Sequence, residues 1–99
     1  MTPESKVLKS IVAFLEAMRL DGRPIYWVKL HGSNFQRAGI PDLLVVLSGR
    51  AFFFEVKSET GEPTKLQVHT LEKIKASGAK AMVVRSRHDV AAVLEEMFV

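Results

Sequence analysis

The chain contains no cysteine, which excludes both a disulfide framework and a thiolate zinc site and fits a reducing compartment. No uninterrupted apolar run approaches the roughly 18 residues of a membrane span. The opening residues, Met1-Thr2-Pro3-Glu4-Ser5-Lys6, lack the basic-then-apolar layout of a secretion signal. There is no internal repeat, no low-complexity stretch and no linker long enough to divide the sequence, so residues 1–99 are expected to form one domain. Charge of one sign is also in short supply: a net charge of +3 permits nucleic-acid binding without requiring it. A hydrophobic fraction of 47% and a charged fraction of 25% are those of an ordinary soluble domain with a modest core.

What is present reads as alternating helices and strands. Thr2 is placed to cap a first helix with Pro3 at its first position, where a missing N–H costs nothing. Val7, Leu8, Ile11, Val12, Leu15 and Met18 recur at helical spacing, and Asp21-Gly22-Arg23-Pro24 stops the run. Ile25 to Leu30 reads as a strand, followed by a polar, Gly-containing loop that runs to Gly39-Ile40-Pro41. Asp42 to Leu47 reads as a second strand, and its apolar run suggests cover on both faces. Ser48-Gly49 is a tight turn, and Ala51 to Lys57 a third strand. A polar loop, Ser58 to Pro63, precedes a helix from Thr64 to near Gly78; Ala79 to Val84 is a fourth strand. Ser86, with Asp89 three residues on, opens a final helix whose stripe is Val90, Val93, Leu94 and Met97. The order αβββαβ plus a C-terminal helix implies an α/β sandwich with a mixed sheet: a central antiparallel hairpin, then a parallel crossover.

The hairpin brings chemistry together. A two-residue loop at Ser48-Gly49 sets Leu47 opposite Arg50 and Asp42 opposite Glu55. Opposed residues point to one face with Cβ atoms about 4.5–5.5 Å apart. Lys57, two residues beyond Glu55, shares that face. A loop centred on Gly49-Arg50 leaves Asp42 diagonal to Glu55 on the same face; a three-residue loop with a bulge breaks the register. Two facing carboxylates repel unless one takes a proton or a cation lies between them. A divalent cation such as Mg²⁺ or Mn²⁺ suits an oxygen-rich site with open water positions. Lys57 beside it would orient a water or neutralise charge growing on a phosphate, the parts required for phosphodiester hydrolysis. Taken singly, Glu55 and Lys57 also fit a solvated strand face, and Asp42 after Pro41 a turn.

Gly39-Ile40-Pro41-Asp42, twelve intervening residues and then Glu55-Val56-Lys57 resemble the PD-(D/E)xK nuclease signature. With Glu4 in a first helix, Phe54 before Glu55, Gly61, Gln67 and Val83-Val84-Arg85, the ordered set resembles the VRR-NUC family, the virus-type replication-repair nuclease module, over nearly the whole chain. The resemblance implies a restriction-endonuclease-like core. It implies that Asp42 and Glu55 bind the metal, with the Val56 carbonyl as a further ligand, and that Lys57 assists the attacking water. It implies that Glu4 approaches the metal directly or through water, and that Gln67 positions Lys57 or the scissile phosphate. Each of these last two has another reading: Glu4 sits where a helix dipole favours any carboxylate, and Gln67 completes a capping box with Thr64.

Single-domain members of the family resemble junction-resolving enzymes and act as homodimers, whereas members with added domains cut flaps or branched repair substrates. The expected activity is therefore a Mg²⁺- or Mn²⁺-dependent DNA endonuclease acting on branched or junction DNA, most simply as a resolvase-like homodimer. No membrane and no small-molecule cofactor is expected, and the location is the cytoplasm, that of the host for a viral or prophage protein. A nickase or flap endonuclease, a binding module without cleavage and a structural interaction domain are the competing readings. Lys29, Arg37, Lys65 and Arg85 are the expected DNA-contacting cations, since backbone contacts position nucleic acid. His31 is a further candidate base or ligand. Phe52, Phe53 and Phe54 read as packing.

Overall fold

A computed structural model describes residues 1–30 and 38–96. The elements are α1 (Pro3–Leu20), β1 (Ile25–Lys29), β2 (Leu43–Leu47), β3 (Arg50–Val56), α2 (Lys65–Ala76), β4 (Lys80–Val84) and α3 (Arg87–Glu95), in the expected order. Arg37, His31 and Met97 lie outside the described residues. No helix among the described residues is long and apolar enough to cross a membrane.

The strands form one sheet in the order β1-β2-β3-β4, with β1–β2 and β2–β3 antiparallel and β3–β4 parallel. The central hairpin is set by its turn. Ser48 and Gly49 have φ of 51° and 83°, the paired positive values of the type I′ turn that matches strand twist. Leu47 consequently pairs with Arg50 and Leu43 with Phe54, so the next position sets Asp42 against Glu55. The ladder slips slightly there, because the Asp42 N–H donates to the Phe54 carbonyl at 3.0 Å.

The helix ends follow their capping residues. Thr2, Thr64 and Ser86 each accept a backbone N–H three residues on, from Ser5, Gln67 and Asp89. One face of the sheet, with Leu43, Val45, Leu47, Phe52, Phe54 and Val56, packs on Ile11 and Leu15 of α1 and Val90 and Leu94 of α3. Phe52 and Phe54 stack with centroids 6.1 Å apart inside this core, which is the packing role their sequence suggested. The opposite face is covered by α2, chiefly over β3 and β4. Leu44 and Val46 are therefore only half-buried, whereas the apolar run of β2 suggested full cover on both sides. A continuous apolar run reports a buried sheet but not how far a single helix extends across it.

This topology gathers one set of chain positions at one end of the sheet. The start of β2, the ends of β1, β3 and β4, and the first turns of α1 and α2 all meet there.

Candidate active site

Glu55 is the one charged side chain among the buried residues described, with 2% of its surface exposed. Burial is also the main reason its carboxyl is pushed up to about 8; the nearby Asp42 carboxyl raises it further, Glu4 adds a little, and Lys57 opposes. A carboxylate in this position needs compensating donors. Oε2 accepts one hydrogen bond, from Gln67 Nε2 at 3.3 Å, and forms an ion pair with Lys57 Nζ at 3.7 Å. Oε1 is buried and has no hydrogen-bond partner among the described residues. An orphaned buried oxygen is costly unless something outside the chain satisfies it.

Asp42 stands immediately before the neighbouring strand β2, and its Oδ2 accepts the Val56 N–H at 2.7 Å. That bond fixes the carboxylate against the end of β3. In a strand the N–H and C=O of one residue leave on the same edge. The Val56 carbonyl therefore lies on the Asp42 side, as the family resemblance requires of it. The Lys57 N–H, one residue on, turns the other way and donates to the Val84 carbonyl at 3.0 Å. Lys57 Nζ lies between Glu55 and Glu4, 3.5 Å from Glu4 Oε1, with 12% of its side chain exposed. The half-exposed Glu4 carboxylate meets the site through Lys57.

Gln67 resolves an apparent choice. Its Oε1 accepts the Thr64 N–H at 2.8 Å and completes the capping box, while Nε2 reaches Glu55. Cap and site contact had been competing readings of one residue; the amide has two ends and serves both. Because only the oxygen can accept from Thr64, the nitrogen must face the carboxylate.

Two further residues hold these groups in place, and their roles were not read from the sequence. Gly39 has φ +85°, and a Cβ there would stand 2.7 Å from Leu66 Cγ and 3.2 Å from the Leu66 carbonyl. The loop carrying Asp42 thus lies directly on the helix carrying Gln67. Its place in Gly-Ile-Pro-Asp was the available signal, but the partner helix was not legible. Arg85 Nη1 donates to the carbonyls of Ser58 at 2.7 Å and Gly61 at 2.6 Å, and at 3.3 Å to Glu59, while Nη2 lies 3.7 Å from Glu62. The guanidinium expected on DNA is one-third exposed and bonded to carbonyls of its own chain, where it clamps the loop between Lys57 and α2. Lys65 and Lys29 are exposed at the site's end of the fold, Lys65 in the first turn of α2 and Lys29 at the end of β1.

The donor set fits a hard divalent cation. Among the described residues no three His, Cys, Asp or Glu side chains form a metal-holding group. A metal would draw on Asp42, Glu55, the Val56 carbonyl and water, the sparse all-oxygen set that suits Mg²⁺ or Mn²⁺.

A mixed four-stranded sheet between helices, with paired carboxylates and a lysine at one end, defines a restriction-endonuclease-like fold. A solved structure described as a VRR_NUC domain is similar over 96% of this chain and 97% of its own, with a TM-score of 0.75 and 33% identity. The chain belongs to the VRR-NUC family of nuclease domains. No protein-family model and no curated protein matches it.

Proposed function

We propose that this chain is a Mg²⁺- or Mn²⁺-dependent endodeoxyribonuclease selective for branched DNA, acting as a Holliday-junction resolvase does. The observation that carries the reading is the buried Glu55, with one orphaned oxygen, set beside Asp42 and Lys57. Asp42, Glu55 and the Val56 carbonyl would hold the metal, with Glu4 approaching through water. The metal, when bound, supplies Lewis acidity and a water of lowered pKa. Lys57 orients the attacking water and meets the negative charge that develops on the phosphate. Gln67 keeps Glu55 in its working orientation. Lys65, Lys29 and Arg37 contact the DNA backbone.

The reading extends to a homodimer, since symmetric cuts in two strands need two sites related by a two-fold axis. It also takes residues 1–99 as one nuclease domain working in the cytoplasm. A nickase or flap endonuclease is the second reading, favoured by the same active-site chemistry. The test is a panel of synthetic junction, flap, nicked and linear DNA incubated with purified protein and Mg²⁺ or Mn²⁺. Symmetric paired incisions in the junction support resolution; cutting confined to flaps or to one strand replaces it with the second reading.

A further inference from the structure

Beside the active site a cleft of about 420 Å³ separates the first turns of α1 from the start of α3. Lys6 and Ser10 line one side, Arg87 and His88 the other, and Arg85 lies between them. Among the described residues no carboxylate lines it. Two other depressions mix their charges: Arg50 and Lys80 accompany Glu96, and Arg23 accompanies Asp21 and Glu95; a third holds Lys75 and Lys80 without an acid in its lining, but Lys75 there is paired with Glu72 at 3.2 Å. The nearby acids are already engaged. Asp89 accepts the Arg85 N–H at 2.8 Å, and Glu4 meets Lys57. Arg85 spends its guanidinium on the 58–61 loop. The side chains of Lys6, Arg87 and His88 form no ion pair or hydrogen bond among the described residues, and all three residues are exposed.

The cleft's position follows from the chain. Lys6 is two residues beyond Glu4, which contacts Lys57. Arg85 follows Val84, whose carbonyl takes the Lys57 N–H. The α3 wall is thus joined directly to the chain around Lys57, and the α1 wall belongs to the helix whose Glu4 meets Lys57. The helix end itself is not the attraction, since Ser86 already caps it through Asp89. What remains is a groove with exposed cations, built on the helix that carries Glu4 and on the segment that follows β4.

We propose that this cleft is a DNA-backbone subsite, in which Lys6 and Arg87 contact phosphates of the strand as it leaves the active site. The inference rests on the nuclease reading and adds the path of the substrate across the α1–α3 side. Such contacts position DNA without reading its sequence. Each lost phosphate contact removes roughly 0.9 from the slope of log affinity against log salt, or roughly tenfold in affinity at 0.1 M salt.

The experiment measures binding of a fluorescein-labelled four-way DNA junction by anisotropy across a salt series, with Ca²⁺ replacing Mg²⁺, and cleavage in Mg²⁺ separately. The variants are Lys6→Ala, Arg87→Ala and their combination, with Lys80→Ala at the far end of β4 as a control matched in charge to each single variant. The double variant should bind up to about a hundredfold more weakly at 0.1 M salt, with the slope shallower by about 2. Its cleavage rate at saturating DNA should match wild type, and Lys80→Ala should change neither quantity. Unchanged affinity and slope in the double variant overturn the subsite. A loss in Lys80→Ala equal to that of either single variant also overturns it, by attributing the effect to net charge. Wild-type protein that cuts DNA while the variants bind normally refutes only the cleft; wild-type protein that neither binds nor cuts refutes the nuclease reading with it.

Discussion

Gln67 joins a helix cap to a buried carboxylate: its oxygen takes the Thr64 N–H at 2.8 Å and its nitrogen faces Glu55 at 3.3 Å. The cap dictates which end of the amide reaches the site. Gln67→Glu should therefore separate the two functions, because glutamate completes a capping box equally well but offers Glu55 no donor. Cleavage should fall about 10–100-fold, the usual cost of losing an outer partner of a metal ligand. α2 should stay folded by circular dichroism. Thr64→Ala should do the reverse, with about 1 kcal/mol lost from stability and a smaller loss of activity.

Arg85→Lys tests the loop clamp. Lysine keeps the charge but cannot reproduce the planar fork that reaches the Ser58 and Gly61 carbonyls. The expected result is a lower cleavage rate at saturating DNA, unchanged affinity for the junction and faster hydrogen exchange over residues 58–62. A selective loss of affinity would instead return Arg85 to direct DNA contact.

Gly39→Ala should destabilise the protein by about 1–3 kcal/mol, through a left-handed backbone and collision with α2. Denaturant melts would measure it. Leu66→Ala should restore only part of the loss, because the Leu66 carbonyl and the positive φ remain.

Much of this architecture was legible because its signals are local. Ser48-Gly49 fixed the hairpin register, and Thr2, Thr64 and Ser86 marked three helix starts. Asp42, Glu55 and Lys57 followed from that register and from strand alternation. The ends of long side chains were less accessible. Arg85 contacts carbonyls 24 and 27 residues away in sequence, and no pattern around it shows that its guanidinium is bonded to its own chain. The half-cover of β2 depended on where α2 lies, which the strand's own residues do not encode.

Glu55 gives metal-free protein an unusual pH dependence. Its folded pKa is raised from 4.5 to about 8, so between those values the native state holds a proton that the unfolded chain has lost. Stability should therefore fall as pH rises through this window, the reverse of a salt-bridged carboxylate. Thermal melts in chelator from pH 5 to pH 8.5 should show the decline, and Glu55→Gln should flatten it. Saturating Mg²⁺ should flatten it too, since binding releases the proton.

The most direct test of the central claim is junction cleavage with Mg²⁺, with excess chelator, and by Asp42→Ala and Glu55→Ala. Wild type should cut in Mg²⁺ alone, with both variants inactive yet still folded. Undiminished cleavage in chelator, or by either variant, would contradict it.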